Sequence, residues 1–465
     1  MKNNRRRTGS PRRSSAVLDR INRDVAGIDC GSAEHYVAVP ADRSPSPVQS
    51  FKTFTGDLLR LADWLVACRV TSVAMEATGV YWIPIYDILE ARGLTVLLVN
   101  ARHVKHVPGR KSDVSDCEWL RDLHSVGLLR GSFRPTEGIV ALRTYLRHRH
   151  RVVESAGIYI QRMQKALVQM NVQLPLVVSD ITGVTGLKIL RDIGAGQHDP
   201  EHLAGHRDYR CRATRAEVVA ALTGYYQPEH VFVLQQNLAL FDACQIQLAA
   251  CDRAIEAQLQ RLNATQDVPP TPLPAPRVPR RPIDNDPVFD IRTPLHHLTG
   301  GIDLTQIDGI GPYSALKLIA EIGTDMTRWA SEKHFTSWLT LAPKNKISGG
   351  RLLSARTEPS ANRAAAILRM AAMTLGRGST ALGAFYRRLA GRIGKPQAIT
   401  ATARKLAVLV YRTLKGELVY RDPGAEAYDG QQRSRVLRRL RRTATTLGFD
   451  LVNRDTGEVL HAAPL

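Results

Sequence analysis

The chain has 465 residues, 44% hydrophobic and 23% charged, too long for one compact core and ordinary for a folded protein of two or three domains. Lys and Arg number 64 against 43 Asp and Glu, a formal charge of +21, and such an excess points to a polyanion, nucleic acid first, because each phosphate contact releases condensed counterions. No apolar run reaches bilayer length and no basic amphipathic stretch has an aromatic face, so no membrane role is expected and a cytoplasmic, nucleoid-associated protein is.

Residues 1–22 mix Lys2, Arg5, Arg6, Arg7, Arg12 and Arg13 with Ser, Pro and Gly, the composition of a disordered basic arm. Residues 23–132 then read as an α/β domain. Asp24–Asp29 and Glu34–Pro40 form a hairpin, a third strand follows near Ser50–Phe54, and Gly56–Cys68 is an amphipathic helix. Val70–Met75 and Leu94–Asn100 are strands around a helix over Tyr81–Arg92, and Asp113–Val126 closes the domain as a helix. A hairpin followed by strands alternating with helices gives a mixed sheet flanked by helices.

Residues 133–266 read as an all-α arm. A long helix from Thr136 to about Leu174 keeps a heptad-like rhythm through Leu142, Leu146, Val153, Ile160, Met163, Leu167 and Met170. A second, over Val231–Leu262, returns antiparallel to it, with a Gly-rich helical stretch between. Eight prolines between Pro269 and Pro287 define an extended linker over 267–290, the clearest boundary in the sequence. Residues 291–422 read as a compact helical domain, and 423–465 as a basic tail carrying Arg433, Arg435, Arg438, Arg439, Arg441 and Arg442. The six cysteines contain no C-x-x-C pair and read as free thiols rather than a zinc ribbon or redox motif.

Four acidic residues carry the chemistry. Asp29 ends the first strand between Gly27 and Gly31, Glu76 ends the fourth, and Asp113 and Asp116 share a helix face at i and i+3. Each alone has an ordinary reading as a turn residue, a surface acid or a helix-start acid. Together they would concentrate about four negative charges in one cleft unless cations sit there. Oxygen-only ligands suit Mg²⁺ or Mn²⁺ rather than zinc, and a pair of such ions supports phosphoryl transfer.

Beyond the linker, Ile307-Asp308-Gly309-Ile310-Gly311-Pro312 before an apolar helix reads as a helix-hairpin-helix. Gly309 and Gly311 permit its tight turn and the next helix's first amides can hold a phosphate; a plain packing turn is the alternative. Pro343-Lys344-Asn345-Lys346-Ile347-Ser348-Gly349-Gly350-Arg351 reads as a phosphate-binding loop. Arg143, Arg147 and Arg151 make either a basic stripe for an RNA or DNA backbone or an ordinary solvated helix face. These residues leave open a metal-only junction-resolving nuclease and a non-enzymatic nucleic-acid-binding protein.

The words Met75-Glu76-Ala77-Thr78-Gly79-Val80-Tyr81-Trp82 and Gly109-Arg110-Lys111-Ser112-Asp113-Val114-Ser115-Asp116 narrow the field. With Arg162–Leu167 and Ser179–Gly183 they closely resemble the DEDD transposases of insertion-sequence family 110. The resemblance implies an RNase-H-like fold of the RuvC type for the first domain, with Asp29, Glu76, Asp113 and Asp116 holding the metals. It implies that Ser348 attacks DNA and forms a covalent phosphoserine link in a composite site with those metals. It also implies a noncoding bridge RNA pairing with donor and target DNA, and a homo-oligomer, dimer or tetramer, joined by the long helices. Arg110, Lys111, Lys344, Lys346, Gly349, Gly350 and Arg351 then fall where nucleic acid is expected. Thr357-Glu358-Pro359-Ser360-Ala361-Asn362 departs from the family's usual Lys-Ala-Gly-Asn-like run, which withdraws a phosphate contact from that position.

Overall fold

The computed structural model describes residues 20–77, 79–100, 113–266, 271–277, 285–454, 456–457 and 459–460, with side chains of 113–115 and 460 outside the description. The chain divides into two compact units, Met1–Arg134 and Pro135–Leu465. The basic arm expected over 1–22 lies almost wholly outside the described residues.

The first unit is a five-stranded mixed sheet with helices on both faces. Its strands are β1 (Val25–Cys30), β2 (Glu34–Ala38), β3 (Val48–Lys52), β4 (Ser72–Glu76) and β5 (Thr95–Val99), in the order β3-β2-β1-β4-β5. The β1–β2 and β2–β3 pairs are antiparallel, while β1–β4 and β4–β5 are parallel. The parallel pairs follow from helical crossovers: α1 (Thr55–Ala67) precedes β4 and α2 (Trp82–Ala91) precedes β5. Leu58, Leu61, Ala62 and Leu65 form one stripe of α1 at helical spacing. They pack on Ala26, Ile28, Val73 and Met75, the side chains that alternation sends to that face of β1 and β4. The opposite face takes α3 (Asp113–Ser125).

α3 lies close because β1 offers it a glycine. A Cβ on Gly27 would run into the Cys117 carbonyl and the Arg121 amide, and would stand 3.0 Å from Leu120 Cβ. Two polar ties fix the helix: Arg121 donates to the Val39 carbonyl at 3.0 Å, and Ser72 Oγ meets His124 Nε2 at 2.8 Å.

The second unit is helical and built on two long helices, α4 (Glu137–Gln169) and α9 (Pro228–Ala264). They run antiparallel: Gln258 donates to the Gly138 carbonyl near one end, and Arg149 meets Asp252 further along. At their other end Met163, Leu167, Leu234 and Phe241 join a core with the short helices α5 (Leu174–Val177), α6 (Val184–Gly194), α7 (Pro200–Ala204) and α8 (Arg215–Leu222). The heptad pattern is real but has a polar layer. Leu142, Leu146, Arg149, Ala156 and Met163 are buried on α4, facing Leu248, Asp252, Ile255 and Leu259 on α9. The Arg149 side chain is 2% exposed and that of Asp252 8%. Their Nε–Oδ1 distance is 2.5 Å, and Arg149 also donates to the Asn285 carbonyl at 2.7 Å and the Tyr313 hydroxyl at 3.2 Å.

Tyr313 belongs to the C-terminal helical layer of α10 (Arg292–Leu298), α11 (Pro312–Ile322), α12 (Glu332–Trp338), α13 (Arg363–Thr374), α14 (Ala381–Ile393) and α15 (Lys395–Leu414). The proline-rich segment lies inside this same unit. Its described stretch 271–277 is tied down: Arg292 donates to the Pro274 carbonyl, Gln306 to that of Ala275, and Arg277 pairs with Asp308 at 3.1 Å. α16 (Ala425–Thr446) extends the basic C-terminal region, with Tyr428 its one buried residue. Among the described residues no helix is long and apolar enough to cross a membrane.

Arg149→Met leaves Asp252 buried without its cation, and breaking a buried pair costs about 3–5 kcal/mol. Denaturant unfolding should show that loss, whereas Arg149→Met with Asp252→Leu should recover most of it by restoring an apolar layer. A single variant as stable as the parent would show that the pair does not hold the helices.

Candidate active site

The sheet brings Asp29 and Glu76 together. The β1–β4 register pairs Ile28 with Met75, so the next residue on each strand stands at the same level, about 5 Å apart between neighbouring strands. Alternation sends Asp29 and Glu76 to the face opposite Ile28 and Met75, which is the face that α3 covers. Both acids are half-buried, as is Asp116 in the first turns of α3. Asp113 opens that helix, and its side chain lies outside the description.

Two cysteines sense these acids. Burial pushes the Cys30 thiol up to about 12, with the charges of Asp29 and Glu76 adding to the effect. Burial does the same to Cys117 on α3, to about 12, aided by the charges of Glu118 and Asp29. Both thiols are therefore neutral near pH 7 while no ion is bound. Among the described side chains, Asp29, Glu76 and Asp116 offer carboxylate oxygen on this face, whereas Cys30 points to the α1 face with Ile28; carboxylate oxygen fits Mg²⁺ or Mn²⁺.

Ser348 sits in a different local setting from the expected phosphate-binding loop. β6 (Lys346–Ser348) and β7 (Arg351–Ser354) form a hairpin in which Ser348 pairs with Arg351. Gly349 and Gly350 make its two-residue turn with φ of +53° and +76°. Two positive φ values in a row match the strand twist and demand glycine-like residues. Lys346, Ser348, Gly349, Gly350 and Arg351 are all exposed. Ser348 and Arg351 are direct cross-strand neighbours, so their side chains leave the same face of the hairpin. Lys344 continues the ladder through its amide to the Arg356 carbonyl at 3.0 Å and pairs with Glu358. The acid in the atypical 357–362 run thus takes up one of the expected cations. Among the described residues no hydrogen bond engages the Ser348 hydroxyl.

Residues 26–172, which span the sheet, α3 and α4, match a transposase family of the DEDD IS110 type. Residues 303–387, which hold the serine hairpin, match the family described as Transposase IS116/IS110/IS902. The chain belongs to the IS110-type DEDD transposases. It is accordingly a DNA transposase, an enzyme of DNA recombination, and DNA is its substrate. No individually curated protein matches the chain.

The remaining expected contacts of this transposase divide. Arg110 and Lys111 lie outside the described residues. Arg143 and Arg147 do not form a solvated stripe: Arg143 donates to the Ala320 and Glu321 carbonyls at 2.9 and 2.8 Å, and Arg147 grips the Glu321 carboxylate at 2.9 and 2.7 Å. These cations cap the C-terminal end of α11, where carbonyls lack helical partners. Arg151 is exposed. Gly309 adopts φ +84°, and a Cβ there would stand 3.0 Å from the Ala371 carbonyl of α13. That turn therefore packs on α13 at Gly309, while Gly311 caps α11. The residues before it form a short 3₁₀ turn, Leu304–Gln306, in place of the hairpin's expected first helix. Sequence reasoning missed Arg149, which fills a heptad core position between Leu146 and Val153.

Gly27→Ala should displace α3 and lower strand cleavage together with thermal stability, whereas Gly56→Ala, with open space around its Cβ position, should leave cleavage intact. Cys30 and Cys117 should resist a small alkylating reagent at pH 8 in the native protein and react after unfolding, as read by mass spectrometry.

Proposed function

We propose that this transposase cuts and rejoins DNA through Ser348, with divalent cations held by Asp29, Glu76, Asp113 and Asp116 in a RuvC-like, RNase-H-like domain. The observation that carries the reading is the placement of Asp29 and Glu76 at one level of adjacent parallel strands, under the helix that bears the other two acids. The strand order β3-β2-β1-β4-β5, antiparallel then parallel, supports the fold assignment.

Ser348 Oγ attacks a backbone phosphorus; the serine–phosphorus bond forms as one sugar oxygen leaves and takes up a proton. Reversal by a hydroxyl of the incoming strand restores the serine and seals the new junction. Arg351, on the same hairpin face, offers the phosphate a planar double donor. Lys346 adds positive charge beside it. When bound, Mg²⁺ or Mn²⁺ supplies Lewis-acid stabilisation of the phosphoryl oxygens. The carboxylates position it, and α3 shields them from solvent on one side.

A noncoding bridge RNA supplies the pairing to donor and target DNA in this proposal. A formal charge of +21 and the lack of any zinc-finger spacing in the sequence support it, since affinity without base-reading side chains suits a guided enzyme. A homo-oligomer, dimer or tetramer, assembled through α4 and α9, completes the proposal.

Ser348→Ala should abolish a covalent protein–DNA adduct and lower strand exchange about 10⁴-fold or more, and Asp29→Asn should lower cleavage to a similar degree. Chelation of divalent cations should stop cleavage and added Mg²⁺ restore it. Cleavage by Ser348→Ala at the parent rate would favour a metal-only nuclease and overturn the serine mechanism.

A further inference from the structure

Away from the acids and the serine, the arm carries a second cluster of metal-ligating side chains. Asp192 stands in the last turn of α6, and His202 and His206 lie four residues apart across the end of α7. Both imidazoles aim Nε2 at a single oxygen, Asp192 Oδ2, at 3.2 Å from His202 and 2.6 Å from His206. One donor atom from each residue lies within 4.8 Å of the other two. The side chains are 52% (His202), 31% (Asp192) and 27% (His206) exposed, so solvent reaches one side of the cluster.

The backbone beneath them is held independently of any ligand. The Gln197 amide donates to the Asp192 carbonyl at 2.9 Å, closing α6. Asp199 caps α7 through the Glu201 and His202 amides at 3.4 and 3.1 Å. Leu203 and Ala204, between the two histidines, are buried in the arm core. Arg191 anchors the same turn to Asp242 of α9 at 3.1 Å. The three donors are thus presented from a fixed frame of two helix ends.

We infer that Asp192, His202 and His206 form a binding site for a divalent transition ion of the zinc class, distinct from the oxygen-only acid site. Two imidazole nitrogens and one carboxylate oxygen are a ligand set that zinc and its neighbours favour and Mg²⁺ does not. The open side leaves room for a water as fourth ligand. Binding would replace the hydrogen bonds that now link the carboxylate to the two rings. The ion would clip the end of α6 to α7 and stiffen the turn between them.

The test titrates the full-length protein with Co²⁺ in excess Mg²⁺, which occupies oxygen-only sites. One equivalent should give the intense visible absorption of a low-coordinate nitrogen-containing site, and Zn²⁺ should bleach it by displacement. Even partners that merely orient a ligand cost about 10–100-fold in metal affinity, so His206→Ala and His202→Ala should each weaken binding about 100-fold or more. His230→Ala, on α9 outside the cluster, should leave it unchanged. Asp192→Asn keeps an acceptor for the imidazoles and should still lose most of the affinity. Circular dichroism in chelator checks that each variant is folded. No visible band, or a band of equal strength in folded His206→Ala, would overturn the site and leave the three residues as a hydrogen-bonded cluster. Strand exchange by Ser348 is a separate readout, so failure here leaves the proposed DNA chemistry standing.

Discussion

An arginine inside an apolar helix seam is costly unless every proton finds an acceptor, and the second unit is organised around meeting that demand. Arg149 takes Asp252 from the facing helix, the Asn285 carbonyl, and the hydroxyl of Tyr313, whose ring also lies under the guanidinium at 5.2 Å. The partners come from α9, from the last part of the proline-rich segment, and from α11. One side chain therefore couples the long helical pair to the layer that carries the serine hairpin. A seam of leucine alone would tolerate sliding by a heptad, whereas a single buried pair allows one register. Arg143 and Arg147 repeat the same logic at the end of α11, with Glu321 and two carbonyls as acceptors.

The sheet domain was legible because period-two and helical patterns alternate there in short blocks with glycine between them. Asp29 and Glu76 were legible as strand-end acids, but their common level depends on the parallel register of β1 and β4, which is a tertiary fact. Gly27 gave no hint that it admits a helix, since a glycine before an acid also suits a ligand-facing turn. Arg149 was hidden by its neighbours: Arg143, Arg147 and Arg151 at four-residue spacing suggested that charge on α4 faces water. The Asp192 cluster was hidden differently. Its histidines straddle a helix end, and its carboxylate is ten residues away from His202, so no fixed spacing announces it.

Charge tells a related story. Composition assigned the surplus of arginine to nucleic acid, yet Arg143, Arg147, Arg149, Arg277 and Arg292 are engaged inside the second unit. Arginine here is a structural material as well as a ligand for phosphate, because its planar fork fits a carboxylate or two carbonyls at once. Among the described residues, α16 carries a run of exposed arginines: Arg433, Arg435, Arg438, Arg439 and Arg442.

The glycine pair beside Ser348 has a kinetic meaning. A long glycine loop would wander, and most of its excursions would carry the hydroxyl away from a phosphorus. In the proposed serine chemistry, a two-residue turn with two positive φ angles would make Ser348 the corner of a small frame, so that the entropy of aiming is settled when the chain folds rather than at each encounter with DNA. Direction is then quantised as well. Side chains on a strand alternate, so the two-residue turn that pairs Ser348 with Arg351 keeps the hydroxyl off the face where Ile347 and Leu352 stand. The count of the turn therefore sets the face of the serine, while the ladder takes up its one irregularity farther out, between Lys346 and Ile347.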